Sequence, residues 1–249
     1  MERYVQISSA SMRLQMDNQR MIAAGLANQN TVAFKRDYAT TSSAYFDVEG
    51  GTDRVFPSRG AAAIDTEIGK VIPTDNPLDV AIEGDGFFTA KNANGDSVVT
   101  RRGDMRMGAD RILRNGENLT MDDGSGAPIT LPLYDTIEVS RDGSILIHPP
   151  GVPSNAPMTV VGRLKMIQAK PDNIEKGSDG LMRIKDKTSP PADANITLST
   201  RGLESSNINS IDAMVEMLNA SRTFEIHVKL LATAKELDDQ TAKLMRSDR

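Results

Sequence analysis

The stretch that decides the fold lies near the carboxyl end, where residues 209–247 read NSIDAMVEMLNASRTFEIHVKLLATAKELDDQTAKLMRS. Positions spaced alternately three and four residues apart carry mostly apolar side chains, which is the repeat of a helix that packs along one side. Seven of these ten positions are apolar, and the set is Met214, Met217, Ser221, Phe224, Val228, Leu231, Lys235, Asp238, Ala242 and Met245. Asn209 is a suitable N-cap residue, so the sequence predicts a long helix that begins near Asn209 or Ser210.

A second helical pattern opens the chain, from about residue 3 to residue 28. The same spacing falls on Val5, Ser9, Met12, Met16, Gln19, Ala23 and Leu26. Asn28 and Asn30 are plausible stop residues, because asparagine tolerates the left-handed conformation of a helix end. Each helix alone would expose an apolar stripe to water, so we expect the two to pack as a coiled-coil-like pair. Two helices cannot hide both stripes completely, so we expect some apolar surface to remain for other subunits.

The middle of the chain carries strand and turn patterns instead. Residues 137–140 alternate, Asp142-Gly143 forms a turn dipeptide, and apolar residues resume at Ile145, which predicts a hairpin. Residues 87–91 and 97–100 flank Asn94-Gly95 and predict a second hairpin. Residues 160–167 read as one further strand. We therefore expect an α+β protein, in which two terminal α-helices flank a central all-β domain that is sandwich-like or barrel-like.

Residues 29–74 show neither the helical nor the strand period clearly. A connection of that length is uncommon inside a compact domain, so the sequence predicts an extended connecting segment. The expected divisions are an N-terminal helix over 1–28, this connecting segment over 29–74, a β domain over 75–200 and a C-terminal helix over 201–249.

Composition excludes several classes of protein. The formal net charge of −5, the pI near 5.2 and the lack of a lysine or arginine block argue against nucleic-acid binding. The chain has no cysteine, which removes disulfides and thiolate metal sites. No apolar run approaches the roughly 18 residues of a membrane span, so we expect no membrane insertion. The first residues lack the basic start and apolar stretch of a secretory signal.

An enzymatic function finds little support. The two histidines, His148 and His227, lie in different zones, and neither has metal-ligand spacing. No serine lies in a nucleophile-elbow context. We expect no catalytic residue, no metal and no cofactor. Hydrophobic residues make up 39% and aromatic residues 4%, which favours an elongated molecule or one that completes its burial in an assembly.

Three groups of residues resemble the sequence signatures of the flagellar rod and hook protein family. The amino-terminal group is Leu26-Ala27-Asn28, Thr31 and Phe34-Lys35. The carboxyl-terminal group is Leu203-Glu204-Ser205-Ser206-Asn207-Ile208-Asn209, Met214-Val215 and Arg222-Thr223-Phe224-Glu225. The middle group is residues 76–88, NPLDVAIEGDGFF.

Two further stretches, residues 161–165 and 177–181, are similar to those of the proximal-rod members of this family. One position departs from the family pattern, because Ala33 stands where a glycine usually precedes the phenylalanine. A glycine at such a place often supplies an unusual backbone angle.

The resemblance implies a structural function. Subunits of this family leave the cell through the flagellar type III export apparatus without a cleaved signal peptide. They polymerise with one another and with other rod proteins into a tube that crosses the periplasm in the basal body and transmits torque. The terminal helices of the family lie in the wall of the tube near the channel, and the β domain lies further out.

The resemblance also implies subunit contacts along both helices and at the residues that flank them. The candidate interface residues are Val5, Met12, Met16, Ala23, Leu26, Asn28, Leu203, Asn207, Met214, Leu218, Arg222, Phe224, Glu225, Val228 and Leu231.

Simpler interpretations of these residues stay open. The apolar stripes could serve only a helix pair within one chain, Arg222 and Glu225 could form a solvated pair, and Asn28 and Asn207 could simply cap helices. For the whole chain the alternatives are a distal-rod or hook-like subunit, a secreted β-domain adhesin on a helical stalk, and a periplasmic hydrolase.

Overall fold

The structure is a computed structural model of the chain, and it describes residues 2–46, 54–153, 155–185 and 190–247. The chain divides into two compact units. The helical unit contains residues 1–27, 37–63 and 209–249, and the β unit contains residues 28–36 and 64–208.

The helical unit contains the two predicted helices and one pair of strands. Helix α1 spans Glu2–Ala27, helix α2 spans Ser210–Ser247, and the strands are β1, Asp37–Phe46, and β2, Arg54–Ile64. The two helices lie side by side, and the Gln15 side chain donates a hydrogen bond to the Ala220 carbonyl at 2.9 Å. The Asn209 side chain accepts a hydrogen bond from the Ile211 amide at 3.0 Å, which confirms the predicted N-cap.

The β unit is built from short antiparallel strands. In chain order they are β3, Val71–Pro73; β4, Val80–Glu83; β5, Phe87–Lys91; β6, Ser97–Thr100; β7, Met105–Met107; β8, Leu113–Asn115; β9, Thr120–Met121; β10, Thr136–Val139; β11, Ser144–His148; β12, Thr159–Arg163; β13, Met166–Ile167; β14, Ile174–Lys176; β15, Met182–Ile184; β16, Thr197–Thr200; and β17, Gly202–Glu204. A short 3₁₀ helix, Pro171–Asn173, precedes β14.

These strands form one large sheet and several small ones. The large sheet has the order β14-β15-β6-β5-β9-β8-β7, and β13 also pairs with β5. The smaller sheets are β10-β11-β12, β16-β4 and β17-β3. The pairing β17-β3 joins the segment that precedes α2 to the segment that follows β2.

Both predicted hairpins are confirmed. In the β10–β11 hairpin Ile137 lies opposite Ile147, and Gly143 has a positive φ of 85° in the turn. In the β5–β6 hairpin Gly95 has a φ of 86°. Such angles suit glycine because it has no Cβ. The single strand predicted over 160–167 is wrong, because β12 pairs with β11 whereas β13 pairs with β5 in another sheet.

The core of the β unit is apolar and well separated from water. Its largest fully buried side chains are Ile82, Phe88, Leu113, Met121, Leu131, Ile145, Leu164, Met166, Ile167 and Leu198. Phe88 and its neighbour Phe87 lie in β5 and are both buried. Each buried large side chain of this kind contributes roughly 1.5–3 kcal/mol to folding.

The α+β class predicted from the sequence is the class observed. The segment 29–74, predicted to be an extended connection, contains β1, β2 and β3, and its parts are divided between the two units. Its polar and glycine-rich sequence hides the strand alternation. Neither described helix is apolar over a long enough stretch to cross a membrane.

One polar group in the β unit is buried at a cost. Asp122 is buried, and its Oδ1 atom has no hydrogen-bond partner within the described part of the chain. The Lys91 ammonium lies 3.8 Å from that oxygen. Burial raises the pKa of the Asp122 carboxyl above its ordinary value of 3.8, although Lys91 and Lys165 oppose the shift. The next residue, Asp123, has the opposite behaviour, because hydrogen bonds from Ser125 and Ala127 lower its pKa.

Replacing Asp122 by asparagine is therefore expected to stabilise the protein at neutral pH by roughly 1 kcal/mol, because it removes a poorly compensated buried charge. A raised pKa means that the folded state loses stability as the pH rises from about 3.8 through the pKa of the folded protein. The gain of Asp122→Asn over the parent should thus be largest at pH 7 and absent below pH 3.8. Urea unfolding at both pH values measures it.

Asp123→Asn is the matched control, and it is expected to lower stability at pH 7 because it weakens three hydrogen bonds to one carboxylate oxygen. An Asp122→Asn protein that unfolds at the same or lower urea concentration than the parent at pH 7 would contradict this account.

Candidate functional site

Helix α2 has two faces that differ in the size of their side chains. The less exposed of the two, which we call the inner face, has buried Ala213 and Ala220 with half-buried Met217, Phe224 and Leu231. These positions repeat at intervals of four and three residues, as in a coiled-coil helix. Two of the five are alanines, so α1 and α2 can approach closely without large knobs between them.

This register differs from the one that the sequence suggests. Met217, Phe224 and Leu231 belong to the inner face as predicted, but Met214, Ser221 and Val228 are exposed. Ala213 and Ala220 take the positions next to Met214 and Ser221. The sequence pattern favours large apolar residues for the buried positions, whereas close packing of two helices selects small ones.

The outer face of α2 exposes large apolar side chains. Four of them lie within the first nine residues of the helix and share one side of it over two turns. They are Ile211, Met214, Val215 and Leu218. Ile211 is 70% exposed and Leu218 is 61% exposed. Further along, Ile226, Val228, Leu230 and Leu237 are also exposed. A contiguous apolar patch of this kind on a soluble protein marks an interaction surface.

Charged residues continue the same side of α2 after the apolar patch. Arg222 and Glu225 are exposed and lie one to two turns beyond Leu218 on the outer face. The apolar patch at the start of the outer face is therefore followed by a stretch in which charged and apolar side chains are both exposed.

Helix α1 mixes small, polar and large apolar residues among its less exposed positions. Ile22 and Gly25 are buried, and the half-buried side chains include Ser8, Ser11, Gln15 and Asn18 as well as the apolar Ala10, Met12, Leu14, Met21 and Leu26. Among the predicted interface residues on α1, Met16 and Ala23 are exposed, whereas Met12 and Leu26 are half-buried. Val5 lies in α1, but the side chains of residues 2–7 lie outside the described part.

The β unit contains a second notable site, where three charged side chains are buried together. Glu204, at the end of β17, is 1% exposed. Its Oε1 atom accepts hydrogen bonds from Lys35 Nζ at 2.7 Å and from the Gly69 amide at 3.0 Å. Its Oε2 atom accepts one from Arg101 Nε at 2.7 Å. Lys35 and Arg101 are themselves buried.

The remaining donors of the two cations reach main-chain carbonyls. Arg101 donates to the carbonyls of Ile82, Gly84 and Gly86 at 2.8–3.2 Å. Lys35 also donates to the Glu67 carbonyl. Burial lowers the pKa of the Lys35 ammonium, and the hydrogen bond and charge of Glu204 oppose that shift. Two cations thus share one carboxylate.

Hydrogen bonds of the main chain also join the segment around Lys35 to the segment around Glu204. The Ala33 amide donates to the Glu204 carbonyl at 2.8 Å, and the Asn207 amide donates to the Phe34 carbonyl at 3.2 Å. The Asn207 side chain accepts from the Arg36 amide and donates to the Asp65 carbonyl. Asn207, a candidate interface residue, therefore acts within its own chain. Leu203 of β17 is half-buried, and the Asn28 side chain bonds to the Thr31 hydroxyl at 3.1 Å.

Models of two protein families match parts of this chain. Residues 81–147 match the family described as flagellar hook protein FlgE/F/G D1 domain, and residues 201–244 match flagellar basal body rod FlgEFG protein C-terminal. The flagellar basal-body rod protein FlgF of Salmonella typhimurium is 28% identical, with 97% of each chain covered. FlgF of Escherichia coli is 28% identical over 94% of this chain and 93% of its own. FlgG of Buchnera aphidicola (subspecies Acyrthosiphon pisum) is 27% identical over 96% and 98%.

The chain is therefore similar over nearly its whole length to flagellar basal-body rod proteins, and both matching models are of flagellar rod and hook proteins. The matches include the middle and carboxyl-terminal groups of residues that resemble this family in sequence. The structure adds that Lys35 of the amino-terminal signature and Glu204 of the carboxyl-terminal signature form an ion pair.

Arg101 completes this ion cluster, and sequence reasoning missed it. It follows β6 and has no neighbouring charge pattern that would single it out among the arginines. Lys35 lies between Phe34 and Arg36, and Glu204 lies between Leu203 and Ser205, so no local pattern in the sequence points to the cluster.

The position where the rod-protein family usually has glycine has an unusual backbone angle here. Ala33 has a φ of 51°, in the left-handed region that L-residues other than glycine seldom adopt. Its amide bonds to Glu204 and its side chain is buried, so the surroundings hold it in this conformation.

The described residues contain no group of three or more histidines, aspartates or glutamates that could hold a metal ion.

Replacing Ala33 by glycine is expected to leave the free energy of unfolding within about 1 kcal/mol of the parent. Relief of the left-handed strain, about 1–2 kcal/mol, offsets the loss of a buried methyl group, about 0.8 kcal/mol, and the added freedom of the unfolded chain, about 0.5–1 kcal/mol. Chemical denaturation measures the difference.

Ala90→Gly is the control, because Ala90 is equally buried but lies in the extended strand β5. It loses the methyl group without relieving strain, so a loss of about 1–2 kcal/mol is expected. Equal destabilisation by the two substitutions would show that Ala33 is not strained.

Proposed function

We propose that this chain is a structural subunit of the proximal part of the flagellar rod, which polymerises through the outer faces of α1 and α2. The observation that carries the proposal is the exposed apolar patch of Ile211, Met214, Val215 and Leu218 at the start of α2. The family supplies the setting, since its rod members are basal-body proteins by name.

The inner and outer faces of the helices together favour contacts between subunits. The less exposed positions of α1 mix small or polar residues with apolar ones such as Leu14 and Ile22, and two inner positions of α2 are alanines, so the pair is less apolar than a leucine-rich coiled coil. Several large apolar residues of α2, among them Ile211 and Leu218, stay exposed. We infer that the coiled-coil-like pair predicted from the sequence is completed in the polymer, where neighbours cover the outer faces.

Eight of the fifteen predicted interface residues, all of them in the helices, take a place in this proposal. Met16, Met214, Leu218 and Val228 are exposed apolar contacts, and methionine suits a surface that must fit several neighbours. Arg222 and Glu225 would form polar contacts beside them. Phe224 and Leu231, being half-buried, would support the helix pair from inside.

The proposed partners are further copies of this chain and other rod proteins. Export by the flagellar type III apparatus and a position in the periplasm follow from the similarity to rod proteins as part of the same proposal. No nucleic acid or membrane insertion is proposed. The names of the relatives offer no support for a secreted adhesin or a periplasmic hydrolase.

A distal-rod subunit is the second candidate. It is favoured by the similarity to FlgG, which extends over 96% of this chain. The two candidates differ in the position of the subunit along the rod rather than in its mode of contact.

Replacing Leu218 by aspartate is expected to abolish rod assembly while the monomer stays folded. The side chain is 61% exposed, so the substitution costs the monomer about 0.5 kcal/mol or less. In the polymer it would bury an unpaired charge at every copy of the contact. Swimming in soft agar and electron microscopy of basal bodies measure assembly, and thermal unfolding measures the monomer.

Asn219→Asp is the control, since it adds the same charge at the next position, which is exposed and polar in the parent. It should leave swimming intact. Normal swimming by the Leu218→Asp strain would show that this patch is not a required contact.

Deletion of the gene tests the assignment to the rod and the choice between its two ends. A proximal subunit is needed before later subunits can add, so the deletion should leave membrane rings without a rod. A short rod stub would favour the distal alternative instead. Complete rods and normal swimming would contradict both.

A further inference from the structure

The buried carboxylate of Glu204 connects parts of the chain that lie far apart in sequence. Lys35 and Glu204 are 169 residues apart, and Arg101 and Glu204 are 103 residues apart. Gly69 approaches so closely that a Cβ atom on it would meet the Ser205 carbonyl oxygen at 2.0 Å. Four segments of the β unit thus converge on one side chain.

We propose that Glu204, Lys35, Arg101 and the Gly69 amide form a conformational lock that holds segments 31–36 and 203–207 against the sheets of the β unit. When the lock opens, both segments leave together as one cooperative unit, and the core of the β unit stays folded.

The two segments would move together because they are bonded to each other. Ala33 bonds to the Glu204 carbonyl, Asn207 bonds to the Phe34 carbonyl, and Arg36 bonds to the Asn207 side chain. Release of either segment alone would break these three hydrogen bonds as well as the ion pairs. A joint release keeps them.

The charges decide which side of the lock gives way. Without a carboxylate at position 204, two buried cations would face each other without a counter-ion, which is strongly unfavourable. Arg101 is held by three main-chain carbonyls of the sheet side, at Ile82, Gly84 and Gly86. Lys35 has the Glu67 carbonyl besides Glu204, and its ammonium reaches water when its segment detaches. Arg101 should therefore stay with the sheets, and segment 31–36, which carries Lys35, should leave together with segment 203–207.

The groups around Lys35 also favour the release of its segment when Glu204 is removed. Burial and Arg101 disfavour the charged form of Lys35, whereas Glu204 and, more weakly, Asp65 favour it. Removing Glu204 removes the larger of the two favourable charges.

The core of the β unit does not depend on the lock. Its largest buried residues include Phe88 and Leu113, which lie in strands of the β5-containing sheet, and Leu164, which packs in the same apolar cluster. Opening the lock leaves these contacts in place. Such partial opening, below the free energy of global unfolding, is common in proteins.

The two segments that the lock holds are the ones that connect, along the chain, to the two helices. α1 ends at Ala27, shortly before segment 31–36, and α2 begins at Ser210, shortly after segment 203–207. The chain leads into both helices from segments that one carboxylate holds. The lock concerns the monomer and is tested on it, so its failure would leave the proposed rod function untouched.

Amide hydrogen exchange on the full-length monomer tests the lock. In the Glu204→Gln variant, the amides of Ala33, Ser205 and Asn207 are expected to exchange at least about tenfold faster than in the parent, which is about 1.4 kcal/mol of opening free energy. Amides of β5 and β11 should keep their rates within about twofold. Lys35→Met should accelerate the same amides less, because Glu204 and Arg101 still neutralise each other.

Asp110→Asn is the control for charge, since Asp110 forms an exposed ion pair with Arg114 elsewhere in the β unit. It should change none of these rates. Gly69→Ala opens the lock by steric clash with no change of charge, and Gly124→Ala is its control because a Cβ there meets nothing within 4 Å.

Three results would overturn the proposal. They are equal acceleration in the segments and in β5 and β11, acceleration in only one of the two segments, and no acceleration in either. If Glu204→Gln does not fold, exchange of the parent protein at increasing urea decides the matter. The amides of both segments must then share one opening free energy that lies below that of β5, and separate or global values would refute the lock.

Discussion

A single buried carboxylate constrains the arrangement of the β unit more than any other polar group in it. Glu204 lies in a region of low dielectric, where an unpaired charge is costly and a paired one is held rigidly. Its three donors come from three different segments, so satisfying it fixes where each segment lies. An apolar residue at this place would fill the same volume without selecting Lys35, Gly69 and Arg101 as neighbours. The cluster therefore contributes specificity of structure rather than a large net stability.

The main chain around the cluster adapts to this constraint. Ala33 adopts a left-handed angle so that its amide reaches the Glu204 carbonyl. Gly69 must lack a side chain so that Ser205 can lie against it. Both are local costs, and both place the backbone where the ion pairs and the β17-β3 pairing need it. The helices show a related choice at Ala213 and Ala220, where small residues permit close approach and leave the large apolar residues outside.

The sequence predicts those features that depend on neighbouring residues. The turns at Gly95 and Gly143 and the cap at Asn209 were predictable, because each follows from one or two residues with a defined conformational preference. The register of α2 was predictable only in part, since Met214 and Ala213 are both plausible inner residues until the partner helix is known. The ion cluster was not predictable. Nothing local to Arg101 indicates that it meets a carboxylate 103 residues away.

The two units meet opposite physical requirements. The β unit pairs the buried charges of Glu204, Lys35 and Arg101 internally and contains two buried apolar clusters, so much of its burial is complete within one chain. The helical unit buries a mixture of small, polar and apolar residues on α1 and exposes isoleucine, methionine, valine and leucine on the outer face of α2. These exposed apolar side chains would gain most if other chains covered them. In the proposed rod, polymerisation would supply the burial that they lack in the monomer. Stiffness of the polymer would follow from many such contacts, each modest by itself.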